Sequence, residues 1–444
     1  MRNAIPVRVW LLGLGLILTL NLLAVGDWHF DDGLRDGFEN LDTRVILRRL
    51  QQPHSVWEWF TGDWVLGNGF YRPLPSVLYQ LDYWLWRDAL LAWKWTNGAL
   101  AVLNALLVVG FVGALLGRRD FALAVGFIFT GWQTGLMPLP PLWLGWAALG
   151  AGVFWGWRVG DWRRGAVWGC VAFALVVELR FIPTLPDLHL ESFAYRAIGW
   201  IPGRTATLMT LLALLALIGV CFYARTGRMG WAALGLGGFL GALLSYEQAV
   251  ALPILMGLCL WSVSRKQTRA GNAPLIPLLC LLMLLPYFAF YRTHIPTQTQ
   301  YHQQRLKRFK TLPETALNWA VPTGREAITQ IDVALTAPFN LLMPSFWAGL
   351  LGFTAYVVAL REGLRARIGW LGWLGSLLAY APLMPVLPLM HYYYLPAVFR
   401  ALWAGILLLC LHTLRPTRRA TSVAMAVVAG VDANHKPRGD GARA

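Results

Sequence analysis

Apolar runs of helical length recur from Val9 to Leu414, and this repetition limits the possible folds more than any other feature of the chain. A helix crosses a hydrocarbon core of ~30 Å with ~20 apolar residues. In lipid the backbone must satisfy its own hydrogen bonds, which favours helices. Twelve candidate spans follow: 9–26, 93–117, 121–137, 142–157, 166–182, 205–224, 231–246, 249–263, 274–291, 338–360, 368–386 and 392–412. The fourth, seventh and eighth are short, and 231–263 reads either as two spans or as one span with a re-entrant piece. Composition agrees: 57% of residues are hydrophobic and 14% charged, with a mean hydropathy of +0.51. A soluble domain has roughly 45–50% and ~25%. The expected fold is an all-α integral membrane protein of about twelve transmembrane helices, residues 1–414, with 415–444 as a disordered cytoplasmic tail.

The chain has 38 Lys+Arg against 22 Asp+Glu, a net charge of +16. The basic residues sit mostly in short turns, and no nucleic-acid motif accompanies them, so they read as topology signals and lipid contacts. Arg118/Arg119, Arg158/Arg163/Arg164, Arg225/Arg228, Arg265/Lys266/Arg269, Arg361/Arg365/Arg367 and Arg415/Arg418/Arg419 occupy alternate connections. With Arg2 and Arg8, the positive-inside rule places all of them in the cytoplasm. Sixteen of the twenty-two acidic residues then fall outside, ten of them between Asp27 and Asp88. Before Asp27 there is no convincing small-residue cleavage site, so the first apolar run is expected to stay as a membrane helix. The five cysteines lie within apolar runs and read as small buried hydrophobes.

Two outer loops are long, 27–92 and 292–337. In the first, Asp42 is a candidate N-cap for an Arg-rich stretch over 43–52, expected to lie on the membrane surface as an amphipathic helix. The strongest local feature is the pair Asp31-Asp32 in HFDDGLRDGFENLD. Adjacent carboxylates repel, which can raise one pKa and suit it to general-base work or metal binding; Asp-Asp-Gly is also ordinary turn chemistry. Arg72 can grip a phosphate or carboxylate bidentately, or anchor the chain at the interface. Asn97 and Asn104 are expected to hydrogen-bond inside the bundle. Asp187, His189, Glu191, Arg196 and Arg204 can line a polar site, but with no second histidine near by a metal centre is not expected there. Glu247 lies between two apolar runs, where a carboxylate marks a polar cavity. Arg305, Lys307, Arg308 and Lys310 form an outward basic cluster suited to a phosphate-bearing lipid or to anionic headgroups. His391 opens the Tyr-rich start of the last span, a position that also suits an aromatic belt.

Taken in order, these pieces resemble the GT-C class of polytopic glycosyltransferases, most closely the transmembrane O-mannosyltransferases with tetratricopeptide repeats and their bacterial relatives. Phe30-Asp31-Asp32 and Asn40-Leu41-Asp42 stand where that pattern has Phe-Asp-Asp and Asn-x-Asp after the first span. Tyr71-Arg72-Pro73-Leu74 matches a Tyr-Arg-Pro-Leu motif before the second. Asn97 is similar to the asparagine of Asn-x-x-x-His, with Ala101 in the histidine place. Gly203-Arg204 resembles the family's Gly-Arg, and Ser245-Tyr246-Glu247 its Ser-Lys-Glu with the lysine lost. Tyr392-Tyr393-Tyr394-Leu395-Pro396 resembles Arg-Tyr-x-Tyr-Leu-Pro, with His391 for the arginine. The repeats themselves are absent, and the extra apolar runs at 121–182 depart from the pattern.

The resemblance implies inverting transfer of a sugar from a polyprenyl-phosphate donor to an acceptor hydroxyl of a protein, lipid or glycan, on the extracytoplasmic face. Asp31 or Asp32 is then the base, the sequence not choosing between them. Arg72, Arg204 and the cluster Arg305, Lys307, Arg308 are phosphate candidates, and Glu247 and His391 shape the pocket. No cofactor is expected, and no ligand set supports a divalent metal. The rival reading is a transporter or lipid flippase, against which stands the gathering of acids and long loops on one face.

Overall fold

The structure, a computed structural model, describes residues 5–26, 40–187, 191–263, 269–295 and 308–414. Among these residues the chain is helical throughout, without strands. Helix α1 is Val7–Gly26, and three shorter helices follow: α2 (Asn40–Leu50), α3 (Glu58–Thr61) and α4 (Pro73–Trp86). The bundle continues with α5 (Leu90–Leu116), α6 (Arg119–Thr134), α7 (Leu142–Arg158), α8 (Trp162–Phe181), α9 (Arg204–Thr226) and α10 (Met229–Leu243). After α11 (Leu252–Ser262) and α12 (Leu275–His294), α13 (Leu312–Ala320) and α14 (Gly324–Thr336) lead to α15 (Pro344–Gly363), α16 (Arg367–Tyr380) and α17 (Tyr394–Leu414).

Each of the twelve apolar runs holds one helix, and the stretch 231–263 holds two, α10 and α11, joined by a 3-10 turn over Glu247–Ala251. Six segments are long and apolar enough to cross a membrane: Val7–Val25, Leu91–Leu116, Trp162–Thr184, Ile201–Thr226, Leu275–His294 and Met390–Leu414. Of the others, α10 and α11 are shorter apolar helices, while α15 has the length, 20 residues, but is not among the six. Helix α17 is the axis, buried from Tyr394 to Leu407 and packed against α6, α8, α9, α15 and α16. Helices α1 and α12 lie at the edge, where Leu11, Leu12, Leu278, Leu282 and Leu285 are exposed. An apolar surface of that kind suits lipid, not water.

Two hydrophobic cores form. The larger runs through the bundle, while a smaller one joins Ile46 and Leu50 of α2 to Trp59, Trp64, Val65, Tyr79, Trp93 and Ile201. This corrects the expectation for α2: it begins at Asn40, so Asp42 sits in its first turn, and its apolar face docks on protein. The amphipathic pattern gives a helix an apolar side but does not say what covers it. Likewise the second long loop is partly helical, since α13 and α14 occupy it.

The connections gather at two ends. At one, the Arg225 Nη2 donates to the Leu115 carbonyl (2.7 Å), Arg164 donates to the carbonyls of Thr413 and Leu414 (3.0 and 3.1 Å), and the Arg269 amide donates to that of Ala224 (2.8 Å). At the other, the Leu74 amide donates to the Leu244 carbonyl (3.2 Å), Asn97 to the carbonyls of Ile198 and Trp200, and Gln248 to those of Ala379 and Tyr392.

The α7–α8 hairpin shows how closely the helices approach. Gly152 and Gly156 face Gly165 and Gly169, so each helix brings a small-x-x-x-small ridge to the contact. A methyl group at Gly152 would sit 2.6 Å from the Gly165 carbonyl oxygen, and one at Gly156 would sit 2.7 Å from the Gly165 Cα. Backbone cannot move aside as a side-chain tip can. Asp161 closes the turn, accepting from the Arg164 amide at 3.1 Å. Gly152→Leu and Gly165→Leu should therefore cost at least about 1–3 kcal/mol. Gly150, with open space around it, should accept alanine with a gain of up to ~1 kcal/mol. Thermal unfolding of the detergent-solubilised variants checks this; equal losses at Gly150 and Gly165 would contradict the packing described.

Candidate functional site

The site is built first from the turn between α3 and α4. Asp63 folds it: its Oδ1 accepts from the amides of Trp64 and Phe70 (2.8 and 2.9 Å) and its Oδ2 from Gly69 (2.6 Å). Gly67 and Gly69 take the positive φ that so tight a return requires. The turn sets the Trp64 and Phe70 rings beside Arg72, which precedes α4.

The Arg72 guanidinium meets Glu247 in a forked pair: Nε lies 3.1 Å from both carboxylate oxygens and Nη2 lies 2.8 Å from Oε2. Three aromatic rings enclose it, with Phe70 at 4.1 Å, Tyr246 at 4.4 Å and Trp64 at 4.5 Å from the guanidinium carbon. Burial opposes the charge of Arg72, but the Glu247 carboxylate outweighs it and holds the pKa above the ordinary guanidinium value. Arg72 thus stays a cation at any physiological pH. Its partner is the more open half of the pair, with 23% of the Glu247 side chain exposed against 9% for Arg72. Behind them Tyr71 packs on Phe290 (4.8 Å), and the Tyr291 hydroxyl donates to the Gly69 carbonyl, tying α12 to the turn.

Glu247 begins the turn after α10, and its neighbour Gln248 clamps that turn to Ala379 (2.7 Å) and Tyr392 (3.0 Å). His391 stands in the Met390–Tyr393 turn, which the Asp187 carboxylate holds by accepting from the Met390 amide (2.5 Å). The imidazole packs 4.9 Å from Trp200 and 6.3 Å from Tyr246. Trp200 in turn lies 4.0 Å from the guanidinium carbon of Arg196, itself paired with Glu191. A single π turn over Tyr195–Gly199 presents Arg196.

The structure therefore brings Arg72, Glu247 and His391 into one polar-aromatic chamber at one end of the bundle. Arg204 is elsewhere: fully buried, it pairs with Asp82 (2.7 Å) and donates to Asn97 Oδ1 (2.8 Å) and the Trp93 carbonyl (3.0 Å). That makes it a brace between α4, α5 and α9. Arg308 is half-buried and donates to the Val386 carbonyl, in the segment leading to His391. Asp31, Asp32, His189, Arg305 and Lys307 lie outside the described residues.

One buried pair escaped the sequence reading. Glu178 of α8 and Arg400 of α17, both with no exposed surface, meet at 2.9 Å inside the bundle. The Tyr356 hydroxyl donates to the same carboxylate, and Trp403 Nε1 donates to Tyr356 (3.3 Å). Phe181 covers the Arg400 guanidinium at 4.4 Å. A charge within each of two apolar runs was the available signal. Among the described residues, no group of three His, Cys, Asp or Glu side chains is placed to hold a metal ion.

Comparison with protein-family models, with curated proteins and with solved structures gives no match.

The Arg72–Glu247 geometry has a measurable consequence. Truncating either residue to alanine strands the other charge in a largely dry site and should cost roughly 2–4 kcal/mol. The double variant Arg72→Ala/Glu247→Ala should lose less than the sum of the two by at least ~1 kcal/mol. Detergent unfolding of the four proteins yields the coupling, and strict additivity would mean that the pair is not energetically joined.

Proposed function

We propose that this chain is a multi-pass membrane glycosyltransferase that moves a sugar from a polyprenyl-phosphate donor to an acceptor hydroxyl at the extracytoplasmic face. Its twelve helices of apolar sequence cross the bilayer, the shorter ones tilting little and thinning it locally. The basic turns face the cytoplasm and the acidic loops face outward. The observation that carries the reading is the cluster around Arg72 and Glu247: a forked cation in an aromatic wall, beside a carboxylate that is the more exposed half of the pair. A guanidinium so held suits a phosphate, whose oxygens match its fork.

In the proposed reaction the acceptor oxygen attacks the anomeric carbon while its proton passes to Asp31 or Asp32. The anomeric carbon–oxygen bond breaks, and the polyprenyl phosphate departs with the electron pair. Arg72 shifts from Glu247 toward the phosphate as that charge develops, which stabilises the transition state more than the ground state. Arg305, Lys307 and Arg308 draw the anionic donor toward the chamber, and His391 with Trp200 forms its far wall. The acidic pair belongs to residues 27–39, the stretch that joins α1 to α2.

Two experiments test this. In a version lacking the native cysteines, a cysteine at Thr311 should react with an impermeant thiol reagent in intact cells, and one at Gly227 only after the membrane is opened. Reaction of the Gly227 variant from outside would invert the topology. Asp31→Asn or Asp32→Asn should lower transfer of radiolabelled sugar from lipid extract by ~10²–10⁴, the usual cost of losing a general base. Arg72→Lys, which keeps the charge but loses the fork, should lower it by about 10- to 100-fold. Unchanged transfer in the Asp31→Asn/Asp32→Asn double variant would overturn the mechanism and favour lipid transport.

A further inference from the structure

A cavity of about 540 Å³ opens at the opposite end of α4 from Arg72. That volume falls in the range of small-molecule sites. It lies between the last turns of α4 and the chain leaving α2, and its chemistry differs from that of the chamber. Gln51, Gln52 and Ser55 stand exposed on one side, and the half-buried Tyr83 with the exposed Trp84 and Arg87 on the other. No carboxylate lines it, and Arg87 is the lone arginine in its lining.

Its back wall is rigid. The buried Gln80 donates from Nε2 to the His54 carbonyl (2.8 Å) and accepts at Oε1 from Trp59 Nε1 (2.6 Å). His54 is held between Glu58 (2.8 Å) and the Arg49 carbonyl (3.0 Å), with its ring 4.9 Å from Trp59. On the front, Arg87 is the non-glycine residue with a positive φ (51°) among the described residues, and its guanidinium carbon lies 5.2 Å from the Tyr83 ring. A fixed wall and a strained rim keep the cleft formed before any ligand arrives, which limits the entropy lost on binding.

The lining selects among ligand classes. A phosphate needs clustered cations, and an acyl chain needs an apolar floor; neither is present. Carboxamides offer a donor and an acceptor side by side, which matches the vicinal hydroxyls of a pyranose. Aromatic faces carry negative charge density that attracts the polarised C–H face of a sugar ring. We infer that this cleft binds a short neutral saccharide. Resting on the glycosyl-transfer reading, it is the site that grips the sugar chain of the acceptor. Arg87 lies fifteen residues beyond Arg72, about 20 Å along α4 at 1.5 Å per residue, a span that several linked sugars cover.

The test uses the full chain in lipid nanodiscs, without donor, titrated with glucose-based and mannose-based hexasaccharides, inorganic phosphate and phosphocholine. Tryptophan fluorescence and calorimetry report binding. A saccharide should bind saturably, with a Kd at or below the low millimolar range. Trp84→Ala and Gln51→Ala should each weaken it at least about tenfold. Arg87→Gly, a residue suited to the positive φ, should weaken it with the melting temperature kept. Absence of saturable saccharide binding up to about 10 mM, binding unchanged in all three variants, or binding of phosphate alone would overturn the cleft's assignment. Sugar transfer is read separately: saccharide binding without any transfer would keep the cleft and remove the enzyme reading, while transfer without saccharide binding would do the reverse.

Discussion

A charge taken out of water into an apolar bundle survives only beside an opposite charge, and four buried arginines here obey that rule. Arg72 meets Glu247, Arg196 meets Glu191, Arg204 meets Asp82, and Arg400 meets Glu178. Desolvation makes such pairs poor sources of net stability, but breaking one is costly. Their value is thus in specification: three of the four join segments more than a hundred residues apart, and each admits one arrangement of its helices. Aromatic rings complete every pair, with Tyr79 near Arg204 at 4.7 Å and Phe181 near Arg400 at 4.4 Å.

The four pairs differ in what they leave open. Arg204 and Arg400 have no exposed surface and serve as braces, one between α4, α5 and α9 and one through the bundle. Arg72 is equally committed in geometry, yet its partner Glu247 reaches solvent. A pair that is firm on one side and accessible on the other can exchange its anion, whereas a sealed pair cannot. That contrast sets the chamber apart from the braces without reference to any relative.

Much of this was legible in the residues. Every apolar run became a helix, because length and hydropathy are local properties. Arg72, Glu247 and His391 were named as separate candidates from separate motifs; the structure pairs the first two directly and links His391 to them through the Tyr246 ring. What escaped was pairing across long separations. Arg204 read as a phosphate ligand because Gly203-Arg204 resembles a Gly-Arg motif, and its actual partner stands 122 positions earlier. Glu178 and Arg400 escaped notice because they stand 222 positions apart, and Glu178 has Arg180 beside it in its own run. Helix α2 was given the membrane as its neighbour because periodicity cannot distinguish lipid from Trp59 and Trp93.

The Glu178–Arg400 pair also imposes an order on biosynthesis. Its members are 222 residues apart, so at roughly 5–20 residues per second the ribosome delivers Arg400 about 10–45 s after Glu178. The α7–α8 hairpin, held by neighbouring glycines, closes long before that. Until then Glu178 lacks the buried cation it meets in the folded chain, and α17 is the element that completes the pair.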